Sequence, residues 1–336
     1  MHMTLAPLFV SNRDTASVVF TLSVTAIVLA LASGTAQAQV GRRPVPTTEA
    51  LVALGLQERS VRIGRTDRLF LVQPPADPTR PAPVLLVLHG GTQSMRRIFS
   101  ADAGATRGWP ELARRVNAVL LVPNAVNPDN GDPQSDNQSW NDLRQGVSRI
   151  SSADDVGFIT GLLDWANQTY RTDRSRVYVT GASNGGMMTF RLLMEAPERF
   201  AAAAALVSAL PVDGSRLKRP SRPVPLLIAN GTLDPLVLWN GGKIAGNRGE
   251  TRSVAATIGW WVDANRANAL ASNATQLPDN DPRDNCIIER HEHLAGPGGA
   301  PVVAYTMKGG GHNIPSAKYP IHTYASSSGD FGRMAR

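Results

Sequence analysis

One serine of the chain has surroundings that could make it a nucleophile. The segment Arg176 to Phe190 reads R-V-Y-V-T-G-A-S-N-G-G-M-M-T-F. Residues 177–180 alternate β-branched and aromatic side chains, which predicts a strand, and residues 186–193 are compatible with a helix. The five residues 181–185 fit G-x-S-x-G, a pattern in which a sharp strand-to-helix turn exposes a serine hydroxyl above a sheet. We therefore take Ser183 as the candidate nucleophile.

A serine hydroxyl is a weak nucleophile at neutral pH and needs a neighbouring base, which is itself oriented by an acid. Asp234 follows the predicted strand 224–229, and His312 follows the predicted strand 302–307. In a doubly wound sheet, the loops after such strands meet at one edge. The order serine, aspartate, histidine is the order expected along an α/β-hydrolase chain. We therefore predict a catalytic triad of Ser183, Asp234 and His312.

A third segment could stabilise the oxyanion that forms when a serine attacks a carbonyl group. His89, Gly90 and Gly91 follow the apolar run 84–88. Such a loop can aim a backbone N–H at the developing charge, and the residue after the nucleophile supplies a second N–H. We predict an oxyanion hole formed by the amides of Gly91 and Asn184, with Thr92 as the alternative to Gly91. His89 is expected to hold the loop rather than to act as a base.

These residues must be positioned by a sheet, and the hydrophobic pattern predicts one. Apolar strands that alternate with helices indicate an α/β fold, a mostly parallel central sheet with helices on both faces. Two short alternating runs separated by Gly64 predict an antiparallel hairpin at one edge. The predicted strands are 60–63, 68–72, 84–88, 118–122, 177–180, 200–207, 224–229, 286–293 and 302–307, and the predicted helices are 109–116, 153–170, 186–193 and 253–268.

Composition narrows the class of protein. The 336 residues carry a net charge of +7, but no block of five or six like charges occurs, so a nucleic-acid partner is not expected.

Residues 1–38 resemble an export signal, with Arg13, the apolar run 18–32 and an A-x-A cleavage site at 36–38. The alternative is an uncleaved membrane anchor. Cleavage would leave one α/β domain, residues 39–336, with no stable membrane span. Its one cysteine, Cys286, is expected to be buried, inert and outside any disulfide.

Two tryptophans are candidates for substrate contact, because they lie in loops that the predicted sheet would bring near the serine. Trp140 follows the polar loop 124–139, which we predict to form a rim of the site, and Trp239 follows the loop that carries Asp234. Each could equally pack in the core, and this alternative stays open.

Two groups of polar side chains could hold a metal ion. His291 and His293 share one face of a predicted strand, but no third ligand follows from the sequence. Asp279, Asp281 and Asp284 could bind calcium, although an acidic turn broken by proline is usually a solvated loop. We predict no metal site.

Six motifs together resemble the polyhydroxybutyrate depolymerase and feruloyl esterase family. The resemblance spans about residues 61–315 and implies an α/β-hydrolase fold and a secreted carboxylic ester hydrolase that needs no cofactor. It also implies the same roles for Ser183, Asp234, His312, Gly91 and Asn184. The motifs are H-G-G-T-Q (89–93), S-W-N-D (139–142), D-D-V-G-F-I (154–159), G-A-S-N-G-G-M-M (181–188), G-T-L-D-P-L-V (231–237) and G-G-G-H (309–312).

Two departures from the family pattern refine this expectation. Polymer depolymerases of this group often place a disulfide-bonded cysteine beside the His-Gly of the oxyanion loop, whereas this chain has glycine there. Similar proteins end in a terminal helix, whereas residues 316–336 are polar and lack helical periodicity. The first of these departures makes the chain resemble the feruloyl or short-chain esterase branch, acting on a small or polymeric ester. The alternatives are an extracellular polyhydroxyalkanoate depolymerase, a peptidase, and a hydrolase fold that binds a ligand without catalysis.

Overall fold

A ten-stranded mixed sheet is the centre of the fold. The computed structural model describes residues 44–147, 149–279, 282, 284–314 and 316, so the predicted export signal and nearly all of the predicted atypical tail lie outside the described residues. Its strands are β1 (Gln57–Ile63), β2 (Thr66–Gln73), β3 (Ala82–Leu88), β4 (Val119–Pro123), β5 (Thr172–Ala182), β6 (Ala202–Leu206), β7 (Leu226–Gly231), β10 (Thr275–Gln276), β11 (Ile287–His293) and β12 (Val302–Lys308). Across the sheet they follow the order β1-β2-β4-β3-β5-β6-β7-β12-β11-β10.

The six central strands run parallel and the edges run antiparallel. Strands β4, β3, β5, β6, β7 and β12 pair in parallel. A hairpin of β1 and β2 adds to one edge, and β11 and β10 add to the other. Every residue of β3, β4, β6 and β7 is buried, as expected for parallel strands that are covered on both faces. A separate two-stranded ribbon pairs β8 (Gly242–Lys243) with β9 (Glu250–Thr251).

Helices cover the two faces of this sheet. They are α1 (Thr48–Ala53), α2 (Trp109–Arg115), α3 (Asp155–Thr169), α4 (Asn184–Glu195) and α5 (Val254–Ala264). The alternation of side chains along β3 shows both layers: Leu86 packs in a core with residues of α3, α4 and α5, whereas Leu85 packs with residues of α1 and α2. Successive residues of a strand point to opposite faces. The predicted mostly parallel sheet with helices on both faces is therefore confirmed.

Local signals account for the helix boundaries. The side chain of Asp154 accepts a hydrogen bond from the amide of Gly157 at the start of α3, and Ser253 does the same for Ala256 at the start of α5. Helix α1 was not predicted from the sequence, although Thr47 caps it through the amide of Ala50. In the part of the chain that the structure describes, no helix is both long and apolar enough to cross a membrane. The domain boundary at residue 39 stays a prediction.

Candidate active site

The turn at Ser183 is a strained connection between β5 and α4. Ser183 has φ of 57° and ψ of −122°, a conformation that costs a non-glycine residue free energy and is concentrated at functional sites. It precedes α4 in the N-cap position, yet its side chain forms no capping hydrogen bond. The hydroxyl is therefore not used to satisfy the helix terminus.

Steric constraints explain why both ends of the G-x-S-x-G pattern are glycine. A Cβ atom on Gly181 would lie 2.3 Å from the carbonyl oxygen of Gly185. A Cβ atom on Gly185 would lie 2.5 Å from the carbonyl oxygens of both Leu88 and His89. The first turn of α4 thus packs directly on the backbone at the ends of β5 and β3, an approach that a side chain would prevent.

Asp234 and His312 meet at the carboxyl ends of β7 and β12. Nδ1 of His312 lies 2.7 Å from Oδ2 of Asp234. The other carboxylate oxygen, Oδ1, accepts hydrogen bonds from the amides of Leu236 and Val237 at 2.8 and 2.9 Å. A carboxylate that accepts a hydrogen bond from Nδ1–H keeps the imidazole proton on Nδ1, which leaves Nε2 unprotonated and able to act as a base.

The loops that carry this pair are tied to each other through their backbones. The amide of Leu233 donates to the carbonyl oxygen of Gly310 at 2.9 Å, and the amide of Thr232 donates to that of Met307 at 3.0 Å. A Cβ atom on Gly231 would lie 2.3 Å from the carbonyl oxygen of Gly310. These contacts fix Asp234 relative to His312 without help from long side chains.

A cavity of about 330 Å³ brings most of the predicted residues together. Ser183 and His312 line it, as do Gly91 and Thr92. Asp234 lies behind the imidazole and is buried. The cavity opens at the carboxyl ends of parallel strands, where α/β folds place their ligands. Asn137, from the loop predicted to form a rim, also lines it.

The predicted oxyanion donors are neighbours. A Cβ atom on Gly91 would lie 3.4 Å from Cβ of Asn184, so the two backbones approach closely beside Ser183. Asn184 is the first residue of α4, where a backbone N–H has no partner inside the helix. The amide of Thr92 donates to the carbonyl oxygen of Gln138 at 2.8 Å. Its N–H is therefore engaged, which favours Gly91 over Thr92.

A buried polar network holds Asn184 from behind. Its Nδ2 donates to Oδ2 of Asp142 at 2.7 Å, and its Oδ1 accepts from the amide of Trp140 at 2.7 Å. Asp142 also pairs with Arg144 at 2.6 Å. All four residues are buried. The role of Asp142 was not predicted, because the S-W-N-D motif does not show which side chain Asp142 contacts.

His89 has the structural role that was predicted. Its Nε2 accepts the amide hydrogen of Ala125 at 3.1 Å. Because an amide can only donate, the ring proton must lie on Nδ1, which is 2.8 Å from the carbonyl oxygen of Gly90. Burial lowers the pKa of His89 to about 4, so the ring is neutral at neutral pH. It fixes the loop that carries Gly91.

The two tryptophans do not line the cavity. Trp140 has no exposed surface, its Nε1 donates to the carbonyl oxygen of His89 at 2.8 Å, and the two rings lie 4.8 Å apart. Trp140 therefore does not contact substrate, which corrects that prediction. It packs beneath the site, because the S-W-N-D motif leads from the loop into the core. Trp239 is half-buried, and its carbonyl oxygen caps the start of α5 by accepting from Val254.

The described residues contain no group of three or more histidine, cysteine, aspartate or glutamate side chains that could hold a metal ion. Asp281, one of the calcium candidates, lies outside the described residues. Cys286 was expected to be buried in a strand, but it is half-buried and lies just before β11, which begins at Ile287. Burial, with the charges of Asp284 and Asp279, raises the pKa of its thiol to about 11, which fits the predicted inert thiol.

Several known proteins are similar to this chain in sequence or in fold. Residues 151–219 match the model of the prolyl oligopeptidase family. The putative esterase NocK of Nocardia uniformis subsp. tsuyamanensis is 29% identical over 303 residues, which are 84% of this chain and 78% of that protein. A poly(3-hydroxybutyrate) depolymerase of Ralstonia pickettii is 35% identical over 138 residues, 39% of this chain and 27% of the depolymerase. Other relatives are named feruloyl and acetylxylan esterases.

The chain is similar to carboxylic ester hydrolases. These relatives confirm the predicted enzyme class, a carboxylic ester hydrolase, and the predicted resemblance to polyhydroxybutyrate depolymerases and feruloyl esterases. Among solved structures, an acetyl xylan esterase from Aspergillus awamori superposes with a TM-score of 0.53 at 16% identity, covering 78% of this chain and 96% of that one. That likeness confirms the α/β-hydrolase fold.

Proposed function

We propose that the chain is a serine esterase that hydrolyses carboxylic esters through an acyl-enzyme. One observation carries the proposal: Nδ1 of His312 lies 2.7 Å from the Asp234 carboxylate, and the same imidazole lines one cavity with Ser183. A base oriented by an acid beside a hydroxyl on a strained turn is the arrangement that nucleophilic serine catalysis needs.

The reaction has two steps. In the first step, the hydroxyl oxygen of Ser183 attacks the ester carbonyl carbon while His312 takes the hydroxyl proton. The imidazolium then protonates the leaving alcohol as the carbon–oxygen bond of the ester breaks. His312 next deprotonates a water molecule, which attacks the acyl-enzyme, and returns the proton to Ser183 as the acid leaves. Asp234 stabilises the imidazolium in both steps.

The amides of Gly91 and Asn184 stabilise the oxyanion of each tetrahedral intermediate. Both flank Ser183, and the N-terminal end of α4 adds a favourable dipole. A donor of this kind is worth about 3 kcal/mol of transition-state stabilisation. The contacts of the Asn184 side chain with Asp142 and Trp140 keep this amide in place before substrate binds.

The proposed substrates are feruloyl, acetyl or short-chain hydroxyalkanoate esters. A cavity of about 330 Å³ suits an ester of modest size. We also propose export from the cell, on the basis of the signal-like residues 1–38 and of relatives named as a depolymerase and feruloyl esterases.

A polyhydroxyalkanoate depolymerase is the alternative, favoured by the 35% identity to a poly(3-hydroxybutyrate) depolymerase over part of the chain. The same triad would cleave a polymer if the chain end or a surface segment could enter the cavity. Clearing of a polyhydroxybutyrate suspension by purified protein would support this alternative, and turnover of short esters without clearing would exclude it.

A peptidase is a second candidate, because the family model matched by residues 151–219 is that of the prolyl oligopeptidases. That segment contains Ser183, and a serine triad can attack amides as well as esters. Measured side by side, an acyl p-nitroanilide and the matching p-nitrophenyl ester separate the two. We expect turnover of the ester alone.

The esterase itself is tested by Ser183→Ala assayed on p-nitrophenyl acetate. Loss of the nucleophile should lower kcat by several orders of magnitude, because no acyl-enzyme can form. Ser60→Ala, at an exposed position of β1, is the matched control and should keep wild-type turnover. Wild-type turnover by Ser183→Ala would refute the proposed mechanism.

A further inference from the structure

Two arginines that belong to none of the six sequence motifs line the cavity. Arg149 and Arg248 share it with Ser183 and His312. Both also line an adjoining depression that contains Ser183, Asn184 and no other basic residue except Arg144. Two positive side chains therefore face the space in which the proposed acyl transfer takes place.

Neither side chain has a counter-charge in the part of the chain that the structure describes. Arg144, the third arginine of the group, pairs with Asp142 at 2.6 Å, and its Nη1 donates to the carbonyl oxygen of Arg248 at 2.6 Å. Arg149 and Arg248 form no such ion pair, and Nε of Arg248 is buried without an acceptor. An unsatisfied buried donor is costly, so an anion bound there would remove a penalty as well as gain an attraction.

Positive charge also predominates in the lining. The described residues that line the cavity include no aspartate or glutamate, and the depression includes one, Asp129, which is exposed in its loop. Burial, followed by the charges of Arg149 and Arg144, lowers the pKa of Arg248, as expected where like charges lie close together without partners.

We propose that Arg149 and Arg248 bind a carboxylate carried by the ester substrate, so that the preferred substrates are short esters with one free carboxylate. Hemiesters of dicarboxylic acids and short hydroxyacid oligomers with a free terminal carboxylate have this chemistry. A guanidinium presents a planar fork of donors that matches a carboxylate. This inference rests on the proposed esterase function.

Such a site also selects against neutral esters. A neutral substrate of the same length would leave the arginine donors unpaired beside it, and sites built to pair a polar group discriminate strongly against analogues that lack it. The two arginines thus act on substrate choice, whereas Ser183, Asp234 and His312 act on the bond-breaking steps.

Two matched pairs of esters test the proposal, since the carboxylate could lie on either side of the scissile bond. For the acyl side, mono-p-nitrophenyl glutarate is compared with p-nitrophenyl valerate. For the alcohol side, 3-acetoxybutyrate is compared with its methyl ester by acetate release. We expect kcat/KM of the charged member to exceed that of the neutral member by about tenfold or more in one of the pairs, the effect of a charge-assisted hydrogen bond.

The variants are Arg248→Gln and Arg149→Gln, with Arg65→Gln as control. Each of the first two should lower the charged-to-neutral ratio of kcat/KM by about tenfold, mainly through KM. Arg65 is exposed in the turn between β1 and β2, and its variant should keep the wild-type ratio. Arg149 is exposed, so Arg149→Gln keeps the test valid if Arg248→Gln does not fold.

The outcomes are distinguishable. If the wild type hydrolyses none of the four esters, the proposed esterase function fails. If it hydrolyses the neutral esters but neither charged member is preferred, or if the arginine variants keep the wild-type ratio, the carboxylate site is refuted and the esterase stands.

Discussion

The candidate site consists of two regions that are held in different ways. The first, the strand-end half, comprises Ser183, Asp234 and His312, each placed in the turn or loop that follows a parallel strand. The second, the loop wall, comprises Asn137, Arg149 and Arg248, which come from connections outside the central sheet. Backbone contacts fix the first region: glycines at 181, 185 and 231 leave no room for a Cβ atom. In the second region, Arg149 is exposed and Arg248 is half-buried.

This difference separates the chemistry from the choice of substrate. A residue fixed by neighbouring backbones keeps its geometry whatever ester enters, so a change in the strand-end half should lower kcat for all esters. A side chain on a loop contacts only part of the substrate, so a change in the loop wall should alter the ranking of esters.

After loss of the nucleophile itself, the largest effect on turnover should come from Asp234→Asn. The amide would favour the wrong tautomer of His312 and would not stabilise the imidazolium, so kcat should fall about 10,000-fold for neutral and charged esters alike. Steady-state kinetics on p-nitrophenyl acetate and mono-p-nitrophenyl glutarate would measure it. A loss confined to one ester would break the proposed separation between the two regions.

A smaller effect is expected from Asp142→Asn, which tests the network behind Asn184. Breaking the buried pair with Arg144 should reduce the free energy of unfolding by about 3 kcal/mol. Poorer placement of the Asn184 amide should also lower kcat of the folded protein about tenfold with little change in KM. Urea unfolding and steady-state kinetics give the two numbers.

Asp164→Asn is the matched control for Asp142→Asn. Asp164 forms an ion pair with Arg199. Neither residue lines the cavity, so the variant should keep wild-type kcat. If Asp142→Asn folds and keeps wild-type kcat, the network stabilises the fold but does not position the oxyanion donor.

The smallest expected effect concerns stability at low pH. The pKa of His89 is lowered from 6.5 to about 4 in the folded protein, so between these values the unfolded chain binds the extra proton. Stability from this residue is complete above pH 6.5 and is lost as the pH falls towards 4. Between pH 7 and pH 5, the loss should be about 2 kcal/mol.

Urea unfolding of the wild type and His89→Gln at these two pH values measures the contribution. The variant should be less stable at pH 7 but should lose about 2 kcal/mol less on acidification. Equal losses in both proteins would show that the ring is not held neutral by burial.

The strand-end half could be inferred from the sequence because each of its residues follows a strand with a strong hydrophobic pattern. The apolar run Val84 to Leu88 was predicted as a strand, and it lies in β3, every residue of which is buried. The proximity of Ser183, Asp234 and His312 then followed from the rule that loops after parallel strands meet at one edge. The position of such strands, and of the loops that follow them, can therefore be predicted from the hydrophobic pattern of the sequence.

The rest could not be inferred, because it depends on which side chains meet across the fold. Trp140 was a candidate for substrate contact, yet it is fully buried, and its loop position gave no sign of this. Arg149 and Arg248 are isolated arginines in polar segments, which in most chains are solvated. Only the structure shows that both border the cavity and that neither has a counter-charge among the residues it describes.

The central claim is that Ser183 is an activated nucleophile, and covalent labelling tests it most directly. A fluorophosphonate probe reacts with a serine that a neighbouring base activates. Folded wild-type protein should gain one probe mass on the peptide that contains Ser183, and Ser183→Ala should gain none. Absence of labelling in folded protein, or labelling of a different serine, would contradict the account and would favour a hydrolase fold that binds its ligand without catalysis.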